Sequence, residues 1–155
     1  MKLTTKGRYA IIAMADLVLH CRNAPVSLKD ITKRQKISLS YLEQLFSKLR
    51  ESRIVKSIRG PGGGYTLGRD SSGISLLDII TAVDEKIDQT QCGGAMNCNH
   101  DKPCLTHYIW TELNEKINQY MRGITLSDIA TREDVKNIMI FRENGNVNNY
   151  QRQKK

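Results

Sequence analysis

Residues 59–64 read RGPGGG, and this glycine-rich run constrains the fold more than any other feature of the chain. Such a run is typical of a tight turn, because glycine reaches backbone angles that other residues avoid. The residues on either side, 54–58 and 65–67, have the composition and alternation of short strands. The sequence therefore predicts a β-hairpin whose tip carries a basic side chain, Arg59.

Three helical segments are predicted before this hairpin. Residues 6–21 carry apolar side chains on nearly every face, as in a helix enclosed by its neighbours. A short helix over 28–35 follows Ser27, a candidate N-cap, and a third is predicted over 39–52. One stripe of the third helix is apolar and consists of Leu42, Leu45, Phe46 and Leu49. Two short helices, a tight turn and a following hairpin predict a winged helix-turn-helix domain.

The positive charge of the chain belongs to that predicted domain. Residues 1–70 contain 14 Lys or Arg and 5 Asp or Glu, a net charge of +9, whereas residues 71–155 contain 10 and 11, a net charge of −1. This asymmetry predicts a polyanionic partner, and a helix-turn-helix predicts that the partner is double-stranded DNA. We interpret four basic residues of the second helix region as part of this surface: Lys29, Lys33, Arg34 and Lys36.

The outer face of the third helix is polar and is predicted to contact DNA. Two residues are alternative N-caps of this helix. Ser40 forms a capping-box pattern with Glu43, whereas Ser38 is flanked by Ile37 and Leu42, which are spaced as a hydrophobic staple. If Ser38 is the cap, Ser40 and Glu43 are free to face bases, and Glu43 can accept a hydrogen bond from a cytosine amino group. The predicted DNA contacts are Ser38, Ser40, Tyr41, Glu43, Gln44, Lys48, Arg59 and Gly60.

The segment 91–107 carries the residues suited to bind a metal. It contains Cys92, Cys98 and Cys104, and His107 follows the last cysteine by three positions. Thiolates and an imidazole are soft ligands for a transition metal or an iron–sulfur cluster. The spacing is neither that of a zinc finger nor that of a four-cysteine ferredoxin. Chemistry alone leaves an iron–sulfur cluster, a structural zinc ion and a thiol switch open.

Two further residues compete for a place in this site. His100 is a rival to His107 on spacing, but His107 is preferred because it lies one helical turn after Cys104 if a helix begins near Pro103. The fourth cysteine, Cys21, is interpreted as a small, at least partly buried residue of the first helix.

A dimerisation helix is predicted over residues 107–122. Five apolar residues on it are spaced by 3, 4, 3 and 4, as in a coiled-coil seam: Trp110, Leu113, Ile117, Tyr120 and Ile124. A homodimer formed along this seam sets two recognition helices on one DNA duplex; packing against its own domain is the alternative for this helix. The 155 residues thus divide into the DNA-binding domain 1–70, a sensor and dimerisation region 71–130, and an extension 131–155, predicted to be disordered from about residue 142.

Several classes of protein are excluded. No stretch approaches the roughly 18 apolar residues of a membrane span, and Asp16 interrupts the apolar run that imitates a lipoprotein signal before Cys21. A cytoplasmic location is therefore expected, where reduced thiols favour metal ligation over disulfides. An enzyme is not expected, since the sequence shows no nucleophile–base set, phosphate-binding fingerprint or paired carboxylates. An electron carrier leaves the basic helix-turn-helix and wing unexplained.

The chain also resembles a known family. The stretches MKLTTKGRYAIIAMADLVLH, ISLSYLEQLFSKLR, IRGPGGGYTLGRD, AVDEKIDQTQC and CLTHYIW resemble the iron–sulfur cluster regulators, a family of winged-helix transcription factors. The resemblance covers about residues 1–130. It implies a 2Fe–2S cluster on Cys92, Cys98, Cys104 and His107, and DNA contacts from Ser38, Ser40, Glu43 and Arg59.

The resemblance also implies how such a protein works. It implies a homodimer that receives its cluster from the cluster assembly machinery, represses the genes of cluster assembly when loaded, and still binds some DNA sites when empty. The imidazole of His107 is neutral and can be protonated, so it leaves a cluster more readily than a thiolate does. We therefore expect cluster occupancy to report the supply of clusters. The alternative function is a zinc-stabilised winged-helix repressor without redox sensing.

Overall fold

Helices and one antiparallel hairpin make up residues 3–144, the part of the chain that the computed structural model describes. In chain order the elements are α1 (Thr5–His20), α2 (Leu28–Gln35), α3 (Leu39–Glu51), β1 (Val55–Ile58), β2 (Gly64–Leu67), a 3-10 turn (Ser71–Gly73), α4 (Leu76–Ala82), α5 (His107–Gly123), α6 (Leu126–Thr131) and α7 (Glu133–Asn144). The predicted fold class, mainly α with a small β-hairpin wing, is confirmed.

Side-chain caps explain where three of the helices begin. Ser27 precedes α2, Ser75 precedes α4 and Thr125 precedes α6, and each hydroxyl accepts the amide three residues on. At α4 and α6 an aspartate at that third position also accepts the amide of the capping residue, which completes a capping box. The start of α1 is held differently, since the Thr4 amide donates to Glu85 Oε1 at 3.1 Å.

The hairpin is fixed to the helix-turn-helix by its second strand. Val55 pairs with Leu67 and Ile58 with Gly64 in the antiparallel register. Tyr65 exchanges two backbone hydrogen bonds with Val26, of 2.9 and 2.8 Å, just before α2. Gly64 has a φ of 158°, and a Cβ on it would clash with the Val26 carbonyl. The wing is therefore a rigid extension of the domain at its base.

The core surrounds α1 and joins both halves of the chain. Ala13, Met14 and Leu17 of α1 are fully buried, and they share one cluster with side chains of α3, α4 and α6. The predicted stripe of α3 faces this cluster as expected. Because α4 and α6 lie in the same core as α1, the segments before and after residue 70 do not form independent cores.

The last described helix reaches into the C-terminal extension. Helix α7 ends at Asn144, and Arg142 Nη1 donates to Gln35 Oε1 at 2.9 Å. The disorder predicted from about residue 142 falls almost entirely outside the described residues. Residues 145–155 lie outside the described part of the chain. Within that part, every helix is too short or too polar to cross a bilayer.

Candidate nucleic-acid interface and metal centre

The start of α3 decides between the two caps. The Ser38 hydroxyl accepts the Tyr41 amide at 3.4 Å, and Ser38 has extended backbone angles, as a cap requires. Ser40, Glu43 and Gln44 lie beyond it on the exposed face of α3. The structure thus favours Ser38 as the cap and leaves the other three side chains directed at solvent, where a DNA groove would lie.

Two other predicted contacts on α3 are held by the protein itself. Tyr41 is half-buried, and its ring packs edge-on against Tyr9 with 5.7 Å between centroids. The Lys48 ammonium forms an ion pair with the carboxylate of Asp84, just after α4. Tyr41 therefore anchors the helix to α1, and Lys48 is shared between its domain and any bound DNA.

Arg34 is the predicted DNA-facing residue that the structure places elsewhere. Its guanidinium binds the buried carboxylate of Asp16, with Nη2 2.7 Å from Oδ1 and Nε 3.0 Å from Oδ2. This contact raises the pKa of Arg34, since the Asp16 carboxylate stabilises its charge. Gln35 donates to the same carboxylate at 2.6 Å. A carboxylate buried in α1 needs a cation, so Arg34 turns inward while Lys29, Lys33 and Lys36 stay exposed.

The wing tip, which is predicted to approach a phosphate backbone, is open to solvent. Arg59 and Gly60 are exposed. Gly60 has a φ of 106°, a conformation that favours glycine, and no atom lies within 4 Å of where its Cβ would be. Together with the exposed face of α3, the tip presents polar and basic groups on one domain.

The candidate metal ligands lie in a loop between α4 and α5, here called the metal loop and comprising residues 91–106. The loop turns tightly, with positive φ at Gly93, Gly94, Met96, His100 and Asp101. His107 is the first residue of α5 and only 4% of its surface is exposed. The helix therefore holds the imidazole in place while the loop brings the cysteines to it.

The site itself is a cavity of about 330 Å³ whose lining includes three cysteines and His107. His107 Nδ1 lies 3.5 Å from Cys92 Sγ and 3.7 Å from Cys98 Sγ. These three ligand atoms lie within 4.8 Å of one another, a spacing that suits a shared metal. The Cys104 amide donates to Cys98 Sγ at 3.0 Å, which keeps the third cysteine at the cavity wall.

The two competing residues lie apart from this group. His100 is exposed on a turn closed by hydrogen bonds between Asn99 and Lys102. Cys21 is half-buried at the end of α1 and packs against the core, as expected. The geometry brings His107, and not His100, together with the cysteines.

The thiols of the cavity titrate differently from ordinary cysteines. Desolvation opposes ionisation of Cys92, but hydrogen bonds from the Met96 and Gly94 amides outweigh it and lower its pKa to about 7. The Cys104 amide favours the Cys98 thiolate, yet desolvation and the two neighbouring thiols together raise the pKa of Cys98. The pKa of Cys104 is lowered chiefly by its contacts with Cys98 and Thr106. A substantial fraction of Cys92 is therefore a thiolate near neutral pH, and the thiolate is the form that binds a metal.

These residues fit an iron–sulfur cluster or a single soft metal ion. The cavity places a ring nitrogen within 3.7 Å of two sulfurs, with a third thiol at its wall. Such a donor set is soft, and three thiolates with a neutral imidazole would leave one negative charge around a doubly charged metal group. Cys92, Cys98, Cys104 and His107 are the residues that would hold the group.

Helix α5 has two distinct faces. Along one side lie four polar residues that are buried or half-buried: His107, Thr111, Asn114 and Asn118. The predicted seam lies about a quarter turn away at 100° per residue. On it Leu113 and Ile117 are half-buried, whereas Trp110 and Tyr120 are exposed by 41% and 66%. Ile124 departs from the prediction, because it follows the end of α5 in an extended conformation and packs against the core of its own domain. Three neighbouring apolar residues that were not predicted as part of the seam are also exposed: Leu105, Tyr108 and Ile109.

The segment 84–90, here called the strap, is a second feature that sequence analysis missed. Its first residue, Asp84, pairs with Lys48 of α3, and Glu85 accepts hydrogen bonds from Thr4 before α1. Its last residues lead directly to Cys92. One signal was present, since Asp-x-Thr at residues 88–90 is typical of an Asx turn. The strap links the DNA-binding domain to the metal loop.

The architecture and the sequence match a known family of proteins. A winged helix-turn-helix with an exposed polar recognition helix and a basic wing defines a DNA-binding transcriptional regulator. Residues 3–132 match the Rrf2 family, described as iron-dependent transcriptional regulators, and the chain belongs to that family. The prediction of a transcriptional regulator and not an enzyme is thereby confirmed.

Individual relatives agree with the family. The chain is 52% identical over 135 residues to the HTH-type transcriptional regulator IscR of Yersinia pseudotuberculosis, which covers 87% of this chain and 82% of the relative. Among solved structures it is similar to CymR, the global cysteine regulator of B. subtilis, with a TM-score of 0.74, 34% identity and coverage of 84% and 97%. It is also similar to T. potens IscR, with a TM-score of 0.67, 37% identity and coverage of 83% and 85%.

Proposed function

We propose that this chain is a homodimeric regulator that senses iron–sulfur cluster supply through a 2Fe–2S cluster and mainly represses the genes of cluster assembly. One observation carries the proposal: His107 Nδ1 faces the sulfurs of Cys92 and Cys98 in a cavity that Cys104 also lines. The similarity to proteins named IscR supports it.

Cys92, Cys98, Cys104 and His107 are the proposed ligands. When bound, the cluster supplies an iron centre that oxidation and iron shortage remove, so its presence carries information. The single imidazole keeps this ligand set less charged than four thiolates and easier to protonate. Regulation then requires only that DNA binding differs between the protein with a cluster in its metal loop and the protein without one. The cluster assembly machinery of the cytoplasm is the proposed donor.

The apolar face of α5 is the proposed dimer interface. The helix makes hydrogen bonds to its own domain with its polar face, as at Asn114, and leaves the seam with Trp110 and Tyr120 exposed. Exposed aromatic side chains on a heptad-spaced stripe are typical of a surface that a second helix covers. Two copies packed there would present two α3 helices to one duplex, about one helical turn or a small multiple apart.

Each copy would read DNA with α3 and the wing. Ser40, Glu43 and Gln44 are the proposed base contacts, and Arg59 with Gly60 the proposed backbone contact. Ser38 acts through the cap that fixes the start of α3. Lys48 serves both the strap and a phosphate.

The strap is the proposed link between the two functions. Asp84 and Glu85 hold the ends of α3 and α1, and Cys92 follows the strap directly. Order or disorder of the metal loop therefore acts on the segment that contacts the recognition helix.

Metal analysis tests the proposal. Anaerobic purification is followed by measurement of iron, sulfide and zinc per chain and by a visible absorption spectrum. About two iron and two sulfide per chain are expected, lost in Cys92→Ala and kept in the matched control Cys21→Ala. Stoichiometric zinc without sulfide, persisting after cluster reconstitution is attempted, would instead identify a zinc-stabilised repressor.

A further inference from the structure

Helix α5 turns a row of polar side chains inward, beside apolar residues such as Met121 that pack against the core. His107, Thr111, Asn114 and Asn118 recur every three or four residues and are all buried or half-buried. Polar groups removed from water need hydrogen-bond partners inside the protein. The partners of Asn114 are found on the strap.

One carboxamide holds two consecutive residues of the strap. Asn114 Oδ1 accepts the Gln89 amide at 2.7 Å, and Asn114 Nδ2 donates to Asp88 Oδ1 at 2.8 Å. These are short bonds between segments that lie 25 and 26 residues apart in sequence. They use the acceptor and one donor of the amide, so they fix its orientation as well as its position.

The hydrogen bonds continue from the strap into the metal loop. Asp88 Oδ1 also accepts the Thr90 amide and hydroxyl, each at 2.7 Å, which closes an Asx turn. The Thr90 hydroxyl oxygen accepts the Gly94 amide at 2.9 Å. The Thr90 contacts, followed by Asn114, lower the pKa of Asp88 and keep it an ionised acceptor. A chain of hydrogen bonds thus runs from α5 to the backbone on both sides of Cys92.

We propose that Asn114 is a positioning residue for the metal centre, which presents the Cys92 thiol to His107 by fixing the strap through Asp88 and Thr90. Asn114 lies two helical turns after His107 on the same face, so one rigid element sets both the nitrogen ligand and the stem of the sulfur-bearing loop. The inference rests on the proposed function, because it concerns how that centre is held.

The test compares Asn114→Ala with Asn118→Ala. Asn118 lies one turn further on the same side of α5, and both asparagines line a second cavity, separate from the metal cavity, between α5 and the strap, so truncation of Asn118 is a matched control. In metal-free, reduced protein, exchange of the Gln89 amide should accelerate about tenfold in Asn114→Ala, because its acceptor is removed. In reconstituted protein, loss of the cluster in air should also accelerate about tenfold. Asn118→Ala should behave as the wild type in both measurements.

Two reciprocal variants separate positioning from general packing. Asn114→Asp keeps the acceptor for the Gln89 amide but sets a carboxylate against Asp88, so slow Gln89 exchange should survive while cluster loss is fast. Adding Asp88→Asn restores a donor and an acceptor across the contact, and slow cluster loss should return. Rescue of this kind is expected only if the hydrogen bond itself positions the loop.

Wild-type rates of Gln89 exchange and cluster loss in Asn114→Ala would overturn the proposal, as would an equal effect of Asn118→Ala. A wild-type protein that takes up no iron and sulfide would overturn the proposed function. Even then, Gln89 exchange decides separately whether Asn114 holds the strap.

Discussion

Lys48 of the recognition helix α3 forms an ion pair with Asp84, which lies two residues after α4 and eight before Cys92. The pair is largely exposed, so it contributes little to stability, but it commits a lysine of the proposed DNA-binding face to the strap. The Lys48 ammonium also lowers the pKa of Asp84. The contact joins the part of the molecule proposed to read DNA to the part proposed to sense clusters.

Replacing Asp84 should strengthen DNA binding. Asp84→Asn frees Lys48 for a phosphate, so affinity should rise severalfold and the slope of log K against log salt should steepen by about one. Fluorescence anisotropy over a series of salt concentrations measures both. Asp101→Asn, on an exposed turn of the metal loop, makes the same charge change away from α3 and should alter the slope little. Equal effects of the two variants would contradict a specific role for the pair.

The buried pair of Asp16 and Arg34 should contribute measurably to folding. Asp16→Asn leaves the Arg34 guanidinium without its counter-charge, and unfolding free energy should fall by about 2–3 kcal/mol, less than for a fully buried pair because Arg34 is one-third exposed. Urea denaturation measures the change. Asp134→Asn breaks the exposed pair with Arg132 and should cost less than about 1 kcal/mol. If Asp16→Asn lowered the unfolding free energy no more than Asp134→Asn does, the buried pair would stabilise the fold no more than an exposed pair.

Cys92 should react with alkylating reagents at lower pH than an ordinary cysteine. Its pKa is lowered from 9.0 to about 7, so in metal-free protein its alkylation rate should reach half-maximum near pH 7. A lowered pKa in the folded state adds stability that is present at high pH and lost as pH falls through about 7. Mass spectrometry of peptides after timed alkylation measures the midpoint, with Cys21 as the internal reference. A midpoint near pH 9 for Cys92 would contradict the described geometry.

Disruption of the α5 seam should separate the proposed dimer. Tyr120 is 66% exposed in the protomer, so Tyr120→Glu should leave the fold intact while placing a charge in the interface. Sedimentation equilibrium should show a monomer, with a loss of affinity for two-half-site DNA. Gln119→Glu, an exposed change one residue away from the stripe, should remain dimeric. A dimer that survives Tyr120→Glu would assign the interface to another surface.

Much of the fold was predictable because its signals are local. The capping residue Ser27 and its hydrophobic staple predicted the start of α2, and the glycine run predicted the turn of the wing. The competition between Ser38 and Ser40 was not decidable from sequence, because both patterns satisfy the capping rules; only the position of the Tyr41 amide separates them.

The contacts that were missed are long-range. In the sequence Arg34 cannot be distinguished from the neighbouring basic residues. Its ion pair is with Asp16, a buried residue 18 positions earlier in the chain. No local sequence pattern indicates that Asp84 pairs with Lys48, or that Asn114 forms a hydrogen bond with Asp88. The proposed ligands Cys92, Cys98, Cys104 and His107 could be singled out because thiols and imidazoles are visible in the sequence, whereas the groups proposed to position them are ordinary amides and carboxylates.

Anaerobic DNA footprinting of one preparation, before and after removal of its cluster, tests whether the cluster controls DNA binding. A set of candidate operators upstream of cluster-assembly genes is used, with Cys92→Ala as a protein that cannot be loaded. We expect at least one class of operator to be protected only by the loaded protein, and the emptied protein and Cys92→Ala to give the same pattern. Identical footprints of loaded and emptied protein at every operator would contradict this expectation.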